Sequence, residues 1–248
     1  MSKGLGNNIG RDICKLADLL EKHGLARDPY PLNAAGEACI RQATEQSWSY
    51  KVHKLIFDVP QVQRMPIDAV DISVSFSLNI EGRLTNGDKV ENPLNELLFE
   101  IEIEAWRENE IAGTVDQLYA AWHLDKHIVK PGDHKPKYSH PLYHIAFGGN
   151  RMEAWGQDRY GRTIILSAPR LLYPPMDAVL GVDFLLQNYL HKNDIANLLL
   201  ESEYRELLRN SQERLWKPFY TSLYSHWDAT INTVEESFGP LQLFPLYC

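Results

Sequence analysis

Cysteine is scarce in this 248-residue chain, and its three copies, Cys14, Cys39 and Cys248, stand far apart. There is no CxxC pair, which removes the common zinc-thiolate and dithiol motifs, and three scattered thiols make no disulfide framework. A reducing, cytoplasmic setting is expected. Long apolar runs are missing as well. The best candidate, 176–190, is interrupted by Asp183, Gln187 and Asn188 and falls short of the roughly 20 residues a membrane helix needs. The N-terminal Met-Ser-Lys-Gly-Leu-Gly-Asn-Asn has no apolar core of the signal-peptide kind. Positive charge is in deficit, with 25 Lys and Arg against 33 Asp and Glu and a net charge of −8. That balance argues against a protein that holds nucleic acid through its phosphates. Arg205, Arg209, Arg214 and Lys217 recur near helical spacing and read as a solvated helix face. GxGxxG, GxxxxGK[ST], HExxH and GxSxG are all absent, so no complete catalytic constellation is visible.

What remains is ample material for one core, including six Trp, twelve Tyr and eight Phe. A single domain over 1–248 is expected, helical over 9–57, built on a sheet over 66–168, and helical again over 174–228. Ile13, Leu16, Leu19 and Leu20 mark a first helix, and Ala34, Cys39, Ile40 and Ala43 a second over 33–53. The period then changes to two. Val70, Ile72, Val74, Phe76 and Leu78 alternate with Asp71, Ser73, Ser75 and Ser77, predicting one buried and one polar face. Leu97, Phe99, Ile101 and Ile103 alternate with Glu100, Glu102 and Glu104 in a second strand, and Leu118, Ala120, Trp122 and Leu124 with Tyr119, His123 and Asp125 in a third. A fourth strand is expected over 141–147, after a loop over 130–137, and a short fifth over 162–168. Pro174-Pro175 then opens an almost wholly apolar helix over 176–189. The class is α+β: a four- to five-stranded antiparallel meander with N-terminal helices and a helical C-terminal third.

Histidine carries the strongest chemical signal. His123, Asp125 and His127 share one strand face, and His140 and His144 flank and enter the next strand. His123, His127, His140 and His144 are therefore candidate ligands of a divalent metal, with Asp125 or Glu102 completing or orienting the site. The fourth strand sets His144 opposite Tyr143, Ile145 and Phe147, so it meets His123 only in the right register. A polar sheet face open to solvent produces the same alternation, and is the simpler expectation. A nuclease strand of the Glu-x-Lys kind is not matched, because Glu100, Glu102 and Glu104 have no Lys in place. Arg170 and Asp177 form a second candidate catalytic pair, better explained as a salt bridge with Asp177 capping the following helix. Asp183, inside an apolar helix, requires a buried partner.

The order of an N-terminal helix, a meander, His140-Pro141 and a later Pro-led helix resembles ubiquitin-conjugating, E2-like domains over roughly 66–210. Leu142 stands where that family has Asn, and no cysteine lies between Cys39 and Cys248. The resemblance thus implies a catalytically inactive, binding-type relative that forms no thioester. Three functions follow as expectations. The first is a non-catalytic protein-interaction module, acting as a homo-oligomer or as a subunit of a larger bacterial-type assembly. The second is a metal-dependent hydrolase or nuclease on the His/Asp/Glu face, and the third is the inactive E2-like domain.

Overall fold

The computed structural model describes residues 3–60, 68–85, 87–109, 112–127, 140–148, 150–153, 170–231 and 233–246. Two helices, α1 (Lys3–His23) and α2 (Tyr30–Gln42), precede β1 (Ser47–Asp58), β2 (Ala69–Arg83), β3 (Leu94–Asn109), β4 (Thr114–Lys126) and β5 (Tyr143–Phe147). After the short α3 (Asn150–Glu153) comes the two-residue β6 (Leu171–Leu172), then α4 (Ala178–Tyr189), α5 (Lys192–Leu200) and α6 (Ser202–Ser211). A π-helical turn over Gln212–Trp216 joins α6 to α7 (Lys217–Tyr224), and α8 (Pro240–Leu243) lies near the chain end. The sheet order is β1-β2-β3-β4-β5-β6, with every neighbouring pair antiparallel. The α+β meander is as expected, with six strands where four or five were read. The loop at 130–137, the strand at 162–168, Gly149 and Cys248 fall outside the described residues.

The extra strand corrects the second helix. α2 stops at Gln42, and 47–53 is extended chain in β1. Trp48, Tyr50 and Val52 point into the core, and after a bulge Leu55 and Phe57 do the same. Lys54, at φ 41°, is the bulge residue. The inserted residue hides the period of two from a reading of the sequence. A second bulge, at Asp71 with φ 51°, shifts the start of β2. Ile72, Val74, Phe76 and Leu78 are buried as expected, but Val70 is thrown to the other face and is 52% exposed. Ser73 and Ser75 lie on the outer face yet are buried, their short hydroxyls low beside Glu104 and Glu102 of β3. Ser77 there is half-buried.

One face of the sheet thus meets the helices. Phe76 and Phe99 stack at 5.2 Å, and α4 crosses them closely enough that a Cβ on Gly181 would stand 2.4 Å from the Phe99 ring. Ala178, Val179, Leu180, Val182, Leu185 and Leu186 bury the rest of α4. The helix starts two residues after the expected point, where Asp177 caps it by accepting the Leu180 N–H at 3.1 Å. Downstream, the helical region expected over 174–228 divides into several elements. Glu201 separates α5 from α6, and α6 runs through the π-helical turn into α7. Among the described residues no helix is long and apolar enough to cross a membrane.

Asp177 ties these layers together. Only 1% exposed, it accepts hydrogen bonds from Ser211 Oγ at 2.8 Å and from Arg214 Nη2 at 2.5 Å. The adjacent Ala178 N–H donates to the Tyr50 hydroxyl of β1 at 3.1 Å. Arg214 therefore takes the place expected of Arg170, and is no member of a solvated stripe. Asp183 has its required partner in Tyr204, whose hydroxyl donates at 2.9 Å. Arg214→Ala is expected to cost roughly 3–5 kcal/mol in urea unfolding, because it strands a buried carboxylate. A loss under about 1 kcal/mol would mean that water reaches Asp177.

Candidate metal centre

Strand alternation sends every second side chain of β4 and β5 to the face opposite the core. On β5, Tyr143 and Ile145 go inward, where the Tyr143 hydroxyl donates to Asn92 Oδ1 at 2.6 Å. His144 and Ala146 go outward. The register pairs His144 with Asp125 and Ala146 with His123, so His144 joins the face of His123 and Asp125. The next pairing places Glu100 of β3 opposite His123.

His123, Asp125 and His144 offer donor atoms that all lie within 4.8 Å of one another. His144 Nε2 and Asp125 Oδ1 are 3.1 Å apart, yet they are not aligned as a hydrogen bond, and Oδ1 has no hydrogen-bond partner. His144 Nδ1 is likewise buried without one. The His123 ring stands at right angles to that of His144, with centroids 6.0 Å apart. His140 extends the group. Its ring lies 4.6 Å from His144 and 3.9 Å from His127, nearly parallel to the latter.

Burial sets the protonation of this group. His144, only 2% exposed, is pushed down to about 3 by desolvation, helped by His140, His123 and Arg170. His140 is pushed down to about 4 by desolvation, His127 and Arg170. Asp125 is raised by desolvation, against the pull of His123, Arg170 and His127. At neutral pH the two imidazoles are neutral bases with lone pairs to donate, the form a metal requires.

The remaining sequence candidates divide. His127 and His140 are adjacent to the triad, as a stacked pair beside it. Glu102 is not part of it, because Tyr119 donates to its Oε2 at 3.0 Å and Arg151 lies 3.8 Å from its Oε1. Glu100 is gripped by Arg151 through both oxygens, at 3.0 and 2.8 Å. Arg151 rides on α3, and nothing in the sequence pattern announces it, since its place over β3 is a tertiary fact. Arg170 does not meet Asp177; it directly precedes β6, beside β5, and its charge reaches Asp125 and His144. Of the thiols, Cys39 is buried and raised to about 11 by desolvation, which leaves no nucleophile there.

A cavity of about 680 Å³ opens elsewhere, lined by Asp12, Trp48, Arg83, Lys89, Arg214 and Lys217 among others. It brings charged side chains together but none of the histidines. Among the described residues, His123, Asp125 and His144 are the group whose donor atoms are close enough to hold one metal ion. No protein-family model, curated protein or solved structure matches the chain.

Asp125→Asn is expected to stabilise the metal-free protein by about 1–3 kcal/mol, since it removes a poorly satisfied buried charge. The change is read as a higher urea midpoint in the presence of EDTA. A lower midpoint would show that the carboxylate is already well paired.

Proposed function

We propose that this protein is a metal-dependent hydrolase whose ion is held by His123, Asp125 and His144. The observation that carries the proposal is the 3.1 Å separation of His144 Nε2 and Asp125 Oδ1 without hydrogen-bond alignment. Two ligands at 2.0–2.1 Å from one zinc ion stand about 3.3 Å apart at a tetrahedral angle. The separation suits co-ligands of one ion, and it is the alignment, not the distance, that differs from a hydrogen-bonded dyad. Two imidazoles and one carboxylate are the donor set of catalytic zinc, which leaves a position open for water. The same set suits manganese or iron(II), so donor type alone does not choose the ion. Bound there, the ion would lower the pKa of its water and polarise a scissile bond. His140, held neutral, packs its ring against His144 at the edge of the site.

Protein purified without an affinity tag is expected to carry one divalent ion per chain by elemental analysis. His123→Ala and His144→Ala should each weaken metal binding by more than the roughly 10–100-fold that loss of a supporting hydrogen bond costs. A metal-free protein that takes up no zinc or manganese on dialysis would end the proposal.

A second reading, the interaction module, is favoured by one surface feature. Tyr220 and Tyr224, four apart on α7, are 51% and 55% exposed, and Trp227 continues the stripe just beyond the helix. Exposed aromatics are what protein interfaces enrich. If this stripe joins two copies of the chain, Tyr220→Ser with Tyr224→Ser should reduce a dimer to a monomer by light scattering. An unchanged mass would remove that form of the reading. The E2-like alternative rests on element order, whereas the cluster gives His140 a use of its own.

A further inference from the structure

The histidine face has a second charged component that the metal triad does not use. Glu100, His123 and Ala146 form one cross-strand row over β3, β4 and β5. On β6, Leu172 pairs with His144 and Leu171 with Ile145. Continuing that antiparallel register by one residue puts Arg170 opposite Ala146, at the next place on the row. Alternation also puts Arg170 on the outer face, two residues from the partner of His144. Two strand spacings, about 10 Å between backbones, separate His123 from Arg170, and Ala146 is the residue of the row between them.

Arg170 is uncommitted. Among the described residues it forms no hydrogen bond or ion pair, while Arg151 is spent on Glu100 and Arg214 on Asp177. Its charge acts instead on Asp125, His140 and His144. The other carboxylates near the triad are already engaged, Glu100 by Arg151 and Glu102 by Tyr119 and Arg151. At the ion itself, a divalent cation, the Arg170 guanidinium and the Asp125 carboxylate sum to two positive charges, with the Glu100, Glu102 and Arg151 group, which carries one negative charge, set beside them on β3. A carboxylate ligand would neutralise one of them. A phosphate monoester, near −2 at neutral pH, neutralises both.

Resting on the metal reading above, we propose that the site takes a small phosphate ester, its phosphoryl oxygens shared between the metal and the Arg170 guanidinium above Ala146. A guanidinium and a metal ion gripping one phosphoryl group is a recurrent way of stabilising its charge. The pocket charge is local, in a chain whose net charge is −8. A compact ester therefore fits better than a nucleic-acid backbone, which would need a broad basic surface.

The test is a calorimetric titration of inorganic phosphate into the full chain, loaded with the metal that it retains. Wild-type, Arg170→Ala and Arg170→Lys proteins are compared, with acetate as the control anion. Because Arg170 bonds to no described residue, both variants are expected to fold and to keep the wild-type metal content. Arg170→Ala should weaken phosphate binding about 10- to 100-fold, the usual effect of losing a charged hydrogen-bonding partner. Arg170→Lys should recover part of it, and acetate should bind more weakly than phosphate throughout. Phosphate affinity unchanged in Arg170→Ala, with metal content intact, overturns the phosphate assignment and leaves the metal reading standing. Acetate binding as tightly as phosphate overturns the choice of ligand class. A wild-type chain that holds no metal ends both.

Discussion

Strands β1 to β5 must deliver their alternate side chains to one helical layer, and that requirement fixes the register of the sheet. Phe76, Phe99, Leu124 and Tyr143 are fully or almost fully buried and belong to four successive strands. Sliding any one strand by a residue would exchange its buried set for its outer set, at a cost of about 1.5–3 kcal/mol for each large side chain exposed. The histidine cluster exists as a by-product of this constraint. With Tyr143 and Ile145 committed inward, His144 has only the outer face, and the pairing of β5 with β4 leaves it beside Asp125.

The same division explains where the molecule spends its charges. On the core side Asp177 is fully buried and accepts from the Leu180 N–H, Ser211 and Arg214. Asp183 is held in the same manner by Tyr204. On the outer side Asp125 is buried enough to be raised in pKa, yet one of its oxygens has no donor. Buried polar groups are ordinarily satisfied, and Asp125 Oδ1 and His144 Nδ1 are exceptions among the described residues, as are Trp48 Nε1 and Arg214 Nε on the core side.

Coverage of the outer face bears on the chemistry. α3 brings Arg151 over Glu100 and Glu102, so that one guanidinium is shared by two carboxylates of the outer face. His144 is almost wholly buried while His123, His127 and His140 are half-buried. The centre is therefore partly desolvated, where charge interactions are stronger than in bulk water. An ion bound there has a graded approach, from the half-buried histidines to the buried one.

Periodicity in the sequence determined the class of fold, the faces of β2, β3 and β4, the apolar helix α4 and the grouping of histidines, because these depend on neighbours two to four residues apart. It misread β1, where one bulge residue at Lys54 breaks the alternation, and Val70, displaced by a bulge at Asp71. Bulges are set by the pairing partner, which no local pattern contains. His123, Asp125 and His144 could be named as candidates from spacing, but their convergence depends on a register between strands separated by 16 residues of chain. Asp177 was legible as a helix cap, whereas its partner was not. Arg214 reaches it through the π-helical turn that joins α6 to α7, and Arg170 is left with the histidines. Only the tertiary structure decides such pairings, because a buried charge takes the partner that folding brings to it and not the nearest one along the chain.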